Sequence, residues 1–150
     1  MHDAIQILSE NGVRATPQRI AVVDYVLTTD AHPTADEVFA NVKATCPTIS
    51  RATVYNTLNL LVDKGLLLAK VLREGVVVFD PRREAHHHFI DDETGRIYDV
   101  PWEAVTVRGE ESLEGFNVRE YQVVMRGDVG KHHRTKLKAK RRRTPGAKRR

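Results

Sequence analysis

A chain of 150 residues suits one ordinary domain or two small ones; its 41% hydrophobic content can build a core, and its longest apolar run, "GLLLAKVL", falls far short of a membrane span. A single cysteine, Cys46, excludes an intramolecular disulfide framework and a CxxC zinc site, and the opening "MHDAIQILSENG" lacks the pattern of a secretory signal, so a reduced, soluble, cytoplasmic protein with no membrane partner is expected. The net charge of +4 is uneven: residues 131–150 hold eleven Lys or Arg and no acid, leaving 13 basic against 20 acidic residues, a net −7, in 1–130.

Four helices are predicted before any strand. Residues 3–11 place Ile5 and Leu8 on one side and end at the C-cap signal Asn11-Gly12. "TPQRIAVVDYVLTT" offers Thr16 as N-cap and Pro17 at the first helical position, where a missing N–H is harmless. "PTADEVFANVKAT" carries a capping box, Thr34 with Glu37 three residues on. "SRATVYNTLNLLVDKG" runs from Ser50 to Gly65 with Val54, Leu58, Leu61 and Val62 at three- and four-residue spacing, one face of an amphipathic helix. Its other face begins with Arg51, Tyr55, Asn56 and Asn59, side chains that can reach base edges or phosphates. "LLLAKVL", "REG" and "VVVFD" then read as a β-hairpin turning near Arg73–Gly75. This order of elements is that of a winged helix, with the fourth helix reading DNA and the hairpin as wing.

The next stretch, "FDPRREAHHHFIDDETGRIYDV", gathers histidines and acids. On a strand, His86 and His88 share one face while His87 points to the other. Asp80 at the end of the hairpin and Asp99 on "RIYDV" can add carboxylate oxygens, and His32 precedes the third helix. Three nitrogens and two oxygens make a mixed site for Fe(II), Mn(II) or Zn(II) rather than a thiolate cage. A metallohydrolase would use a similar set with an open coordination position. No separate general base or substrate motif accompanies it, however, and the first half would be unexplained.

The stretches "GVRATPQR" (12–19), "HPTADEVF" (32–39) and "SRATVYNTLNLLVDKGLL" (50–67), continued through the histidines to about Gly127, resemble the ferric-uptake-regulator family of metal-dependent transcription factors. The resemblance implies an α+β fold: a winged-helix DNA-binding domain over 1–82, then a small α/β dimerisation and metal-sensing domain over 83–130. Residues 131–150 remain as a basic disordered tail, either a phosphate-binding arm or a solubility tail. It implies a homodimer on a palindromic double-stranded operator, with Arg14 near the minor groove and Tyr55 on a base. Asn56 stands where many members have arginine. The family's regulatory metal ligands match His32, Asp80, His86, His88 and Asp99, giving one divalent cation per subunit whose binding restrains the hinge between domains.

Two departures follow. Asp91 and Thr94, then Val129 and His132, stand where many members carry two cysteine pairs for a structural zinc. His87 matches one ligand of an accessory site, but Ala85 and Tyr121 replace others. The second half resembles both cysteine-poor peroxide-responsive regulators and haem-responsive iron response regulators. Aspartates at 80 and 99 favour the first, in which Fe(II) reduces peroxide and the oxidant modifies a ligating histidine. The "HHH" run and Cys46-Pro47, a possible haem thiolate, are the case for the second.

Overall fold

A computed structural model describes residues 3–82, 84–109 and 113–130; the expected basic tail, 131–150, lies outside them. The chain divides into two compact units, Met1–His86 and the part from His87 onward, a few residues beyond the expected limit at 82.

The first unit contains helices α1 (Ala4–Glu10), α2 (Pro17–Val26), α3 (Ala35–Val42) and α4 (Arg51–Asp63), followed by strands β1 (Leu68–Arg73) and β2 (Val76–Asp80). Each helix starts at a side-chain cap: Asp3, Thr16, Thr34 and Ser50 accept backbone N–H groups that would otherwise lack partners. At Thr34 the reciprocal bond from its own N–H to Glu37 is also made, 2.8 Å, completing the capping box. Helices α1 and α4 end alike. After α4, Gly65 N–H donates to Val62 and Leu66 N–H to Leu61, a Schellman motif that needs the left-handed φ of 71° at Gly65.

The core of this unit is built from Leu8, Val22, Val23, Val26, Val38, Val42, Val54, Leu58 and Leu61, all essentially inaccessible, with Leu67 and Phe79 from the hairpin side. One expectation fails at α1: Ile5 is 55% exposed, and Ala4 rather than Ile5 is buried with Leu8. Over only seven residues the apolar phase rests on two side chains, and the pair four apart fits the packing face better. Strands β1 and β2 pair antiparallel from Leu68↔Asp80 to Arg73↔Val76, around Glu74-Gly75 with Gly75 at φ 68°. Helices and hairpin thus make the expected winged helix.

The second unit is a three-stranded sheet in the order β4-β3-β5, from β3 (His86–Asp91, whose first residue closes the first unit), β4 (Ile97–Pro101) and β5 (Val124–Gly127). β3 and β5 run parallel in the register His88↔Val124 to Asp91↔Gly127. The strand expected across "FNVREYQVVMRG" is confined to its last four residues. Phe116 and Val118 are 74% and 43% exposed, so nothing among the described residues covers their side chains as a sheet face would be covered.

Asp91 organises the β3–β4 turn. Its buried carboxylate accepts Thr94 Oγ1 at 2.7 Å and Glu93 N–H at 3.1 Å, and its carbonyl accepts Gly95 N–H. The two positions that depart from the family's first cysteine pair therefore close the turn by hydrogen bonds.

Candidate metal centre and nucleic-acid interface

Within the first unit, three of the five expected ligands meet. Asp80 ends β2, and the N–H of Phe79 beside it donates to the Pro33 carbonyl at 2.9 Å, which ties the wing strand to the loop carrying His32. His32 Nε2 stands 3.4 Å and His86 Nε2 2.7 Å from the same oxygen, Asp80 Oδ2. All three residues are buried, with Asp80 1% exposed. The other oxygen of Asp80 accepts Arg82 N–H at 2.8 Å, which fixes the carboxylate plane.

The chemistry of this donor set fits a cation. His86 Nδ1 lies 2.7 Å from the Glu84 carbonyl oxygen, which can only accept, so that nitrogen carries a proton. Nε2 then faces a carboxylate, and its lone pair is tolerated there only with a second proton or a metal ion between them. A carbonyl anchoring the far nitrogen is the usual way to aim an imidazole at a metal. His32 holds a φ of 50°, a left-handed conformation uncommon outside glycine and costing on the order of 1–3 kcal/mol. Strain of that kind persists where a side chain must point to one place.

In the second unit, His88 Nε2 lies 3.8 Å from Asp99 Oδ1. His88 is fully buried and Asp99 is on the partly open strand β4. His86 and His88, two apart on β3, project from the same face of that strand.

His87 occupies the other face and is fully buried as well, so β3 is covered on both sides here. β3 is the central strand, and Trp102 covers this side: the two rings stack with centroids 4.5 Å apart, and Tyr121 packs on Trp102 at 4.7 Å. Val123 N–H donates to His87 Nδ1 at 3.1 Å. Cys46 follows α3, packs partly buried against the first unit's core, and is not gathered with His32, Asp80 and His86 among the described residues.

The expected DNA-facing residues lie on the surface of the first unit. Arg14 is exposed in the α1–α2 loop, its carbonyl held by Arg19 Nη1 at 3.0 Å. Along α4, Arg51, Tyr55 and Asn59 recur every four residues and are exposed, as is Asn56, opposite the buried Val54, Leu58 and Leu61. Thr57, also buried, bonds back to the Thr53 carbonyl at 2.7 Å. Sequence reasoning missed the neighbours of Arg51: its guanidinium is paired with Asp36 and lies over the Phe39 ring. No spacing signal could reveal a contact between residues fifteen apart on two different helices.

Comparison with known proteins agrees with this layout. The model of the "Ferric uptake regulator family" matches residues 10–126. The chain is 36% identical over 99 residues to the peroxide operon regulator of Bacillus subtilis, covering 66% of this chain and 68% of that one. A solved structure of the Campylobacter jejuni peroxide stress regulator superposes with a TM-score of 0.60 at 31% identity, over 87% of this chain and 98% of that one. The Vibrio cholerae ferric uptake regulator shares the fold with a TM-score of 0.69 at 22% identity, over 85% of this chain and all of that one. No helix among the described residues is long and apolar enough to cross a membrane. The chain therefore belongs to the ferric uptake regulator family and is a metal-responsive transcriptional regulator, not an enzyme.

Proposed function

We propose that this regulator is a repressor that grips its operator when one divalent cation per subunit is held by His32, Asp80, His86, His88 and Asp99. The observation that carries this reading is the convergence of two buried imidazoles on one carboxylate oxygen, Asp80 Oδ2. The mixed nitrogen and oxygen set suits Fe(II) or Mn(II), with Zn(II) as a substitute. His32 and Asp80 belong to the winged helix, while His88 and Asp99 belong to the following unit. Ligands drawn from both make cation binding a constraint on the hinge, which shifts the population towards the conformation competent for DNA.

Arg14, Arg51, Tyr55 and Asn56 are the residues assigned to DNA, the first near the minor groove and the others along α4 in the major groove. The operator is double-stranded and palindromic because the protein acts as a homodimer. Leu113, Phe116 and Val118, all exposed, are the apolar side chains that the second subunit would cover.

The signal we assign is peroxide. It is supported by the two peroxide regulators among the relatives and by aspartates at both carboxylate positions. Fe(II) held by these residues would supply the electrons to reduce peroxide, and the buried imidazoles of His32, His86 and His88, as its ligands, would be the side chains open to oxidation. Treating the Fe(II)-loaded protein with peroxide should add one oxygen to a peptide containing one of these histidines and release operator DNA; the Mn(II)-loaded protein should be spared. Mass spectrometry beside a DNA-retention assay reads both. Release by haem alone, blocked by changing Cys46 or His87 and without histidine oxidation, would establish a haem-responsive regulator instead.

A further inference from the structure

Arg51 opens α4, and its guanidinium is engaged before any DNA arrives. One Nη donates to Asp36, and the Cζ atom stands 4.6 Å from the centroid of the Phe39 ring. Asp36 and Phe39 are three residues apart on α3 and so lie on one side of it. The contact is not part of the core: the side chains of Arg51 and Asp36 are 61% and 68% exposed. An exposed ion pair contributes little to stability. It also sets a carboxylate beside a surface meant for a polyanion, which weakens binding to every sequence alike. A carboxylate in the first turn of α3 suits the helix N-terminus, but that role does not call for a pairing with Arg51, which stability and affinity both leave unexplained.

Selectivity does explain it. We propose that Asp36 is a specificity-determining positioning residue, which with Phe39 orients the Arg51 guanidinium towards a base edge and denies it to the phosphate backbone. This rests on the reading of α4 as the DNA-contacting helix. A long, unrestrained arginine at a DNA surface finds the nearest phosphate, a contact that carries no sequence information. Stacking on Phe39 fixes the guanidinium plane, and Asp36 occupies one of its five N–H donors and repels phosphates. The donors left over form a planar fork, whose best match in the major groove is the N7/O6 pair of guanine. Arg51 is the first residue of α4, at the end of a recognition helix that reaches base edges.

The test starts from a duplex enriched out of a random-sequence library by the Mn(II)-loaded wild-type protein, with a scrambled duplex of equal length as reference. Wild type, Asp36→Asn, Arg51→Gln and the double variant are titrated against both across a range of salt. Asp36→Asn should bind the scrambled duplex more tightly, with a salt slope steeper by about one. Its discrimination between the enriched duplex and one with symmetry-related guanines replaced should fall by roughly fivefold or more. In the Arg51→Gln background the same change should leave discrimination where it was. The melting temperature should hardly move, because the pair is exposed.

Unchanged discrimination in Asp36→Asn, or equal loss of affinity for both duplexes, overturns the role of Asp36 while leaving α4 as the DNA helix. A selection in which wild type enriches no sequence overturns the reading of α4, and this inference with it.

Discussion

Leu58→Ala should lower the stability of the winged-helix unit by about 2–5 kcal/mol, the range for removing a leucine from a packed core. Leu58 is fully buried at the middle of α4, flanked on the same face by Val54 and Leu61. Tyr55 and Asn59 leave the same helix in the other direction, so the packing of Leu58 holds the expected reading surface in place. Urea unfolding followed by circular dichroism measures the loss directly. Operator affinity should fall only as far as the folded fraction falls, and excess Mn(II) should recover part of it by binding the folded state alone. A stability loss below about 1 kcal/mol would mean that the α4 core face has been wrongly assigned.

The second large effect is expected at Asp80. Asp80→Ala removes the oxygen on which His32 and His86 converge and leaves two buried rings without it. Metal retention after dialysis, read by elemental analysis, should drop by well over tenfold, since loss of even an outer-shell partner costs about 10–100-fold. Asp80→Asn is the useful companion. Its amide oxygen can still accept Arg82 N–H, as Asp80 Oδ1 does at 2.8 Å, so the fold should survive while the charge that draws a cation is gone. Wild-type metal content in both variants would show that Asp80 is not a ligand.

Much of the first unit was legible because its signals are local. Thr34 with Glu37, Ser50, Gly65 and Gly75 each act within a few residues of where they stand, and each does the work expected of it. Phase was harder in short elements: two apolar residues could not orient α1, and Ile5 faces water. In the second unit, alternation correctly separates His87 from His86 and His88, but period alone cannot say that β3 is central and covered on both faces. The run "FNVREYQVVMRG" reads as a strand because its composition suits one; among the described residues only Val124–Gly127 forms a strand, paired with β3. The pairing of Arg51 with Asp36 is a meeting of two helices, and only the packing of α3 against α4 reveals it.

One comparison bears most directly on the proposal that a cation is shared by the winged helix and the unit that follows it. Operator affinity should be measured for wild type and His88→Ala, each metal-free and each with saturating Mn(II), with sedimentation comparing their oligomeric states. His88 belongs to the unit that follows the winged helix and is fully buried, so it presents no side chain to DNA, and the metal-free pair separates any effect of the substitution that does not depend on Mn(II). Wild type should tighten by at least about tenfold on adding Mn(II), within the range of ordinary allosteric coupling, and His88→Ala should respond weakly or not at all. Equal tightening of the two proteins would contradict the shared site and the restraint of the hinge.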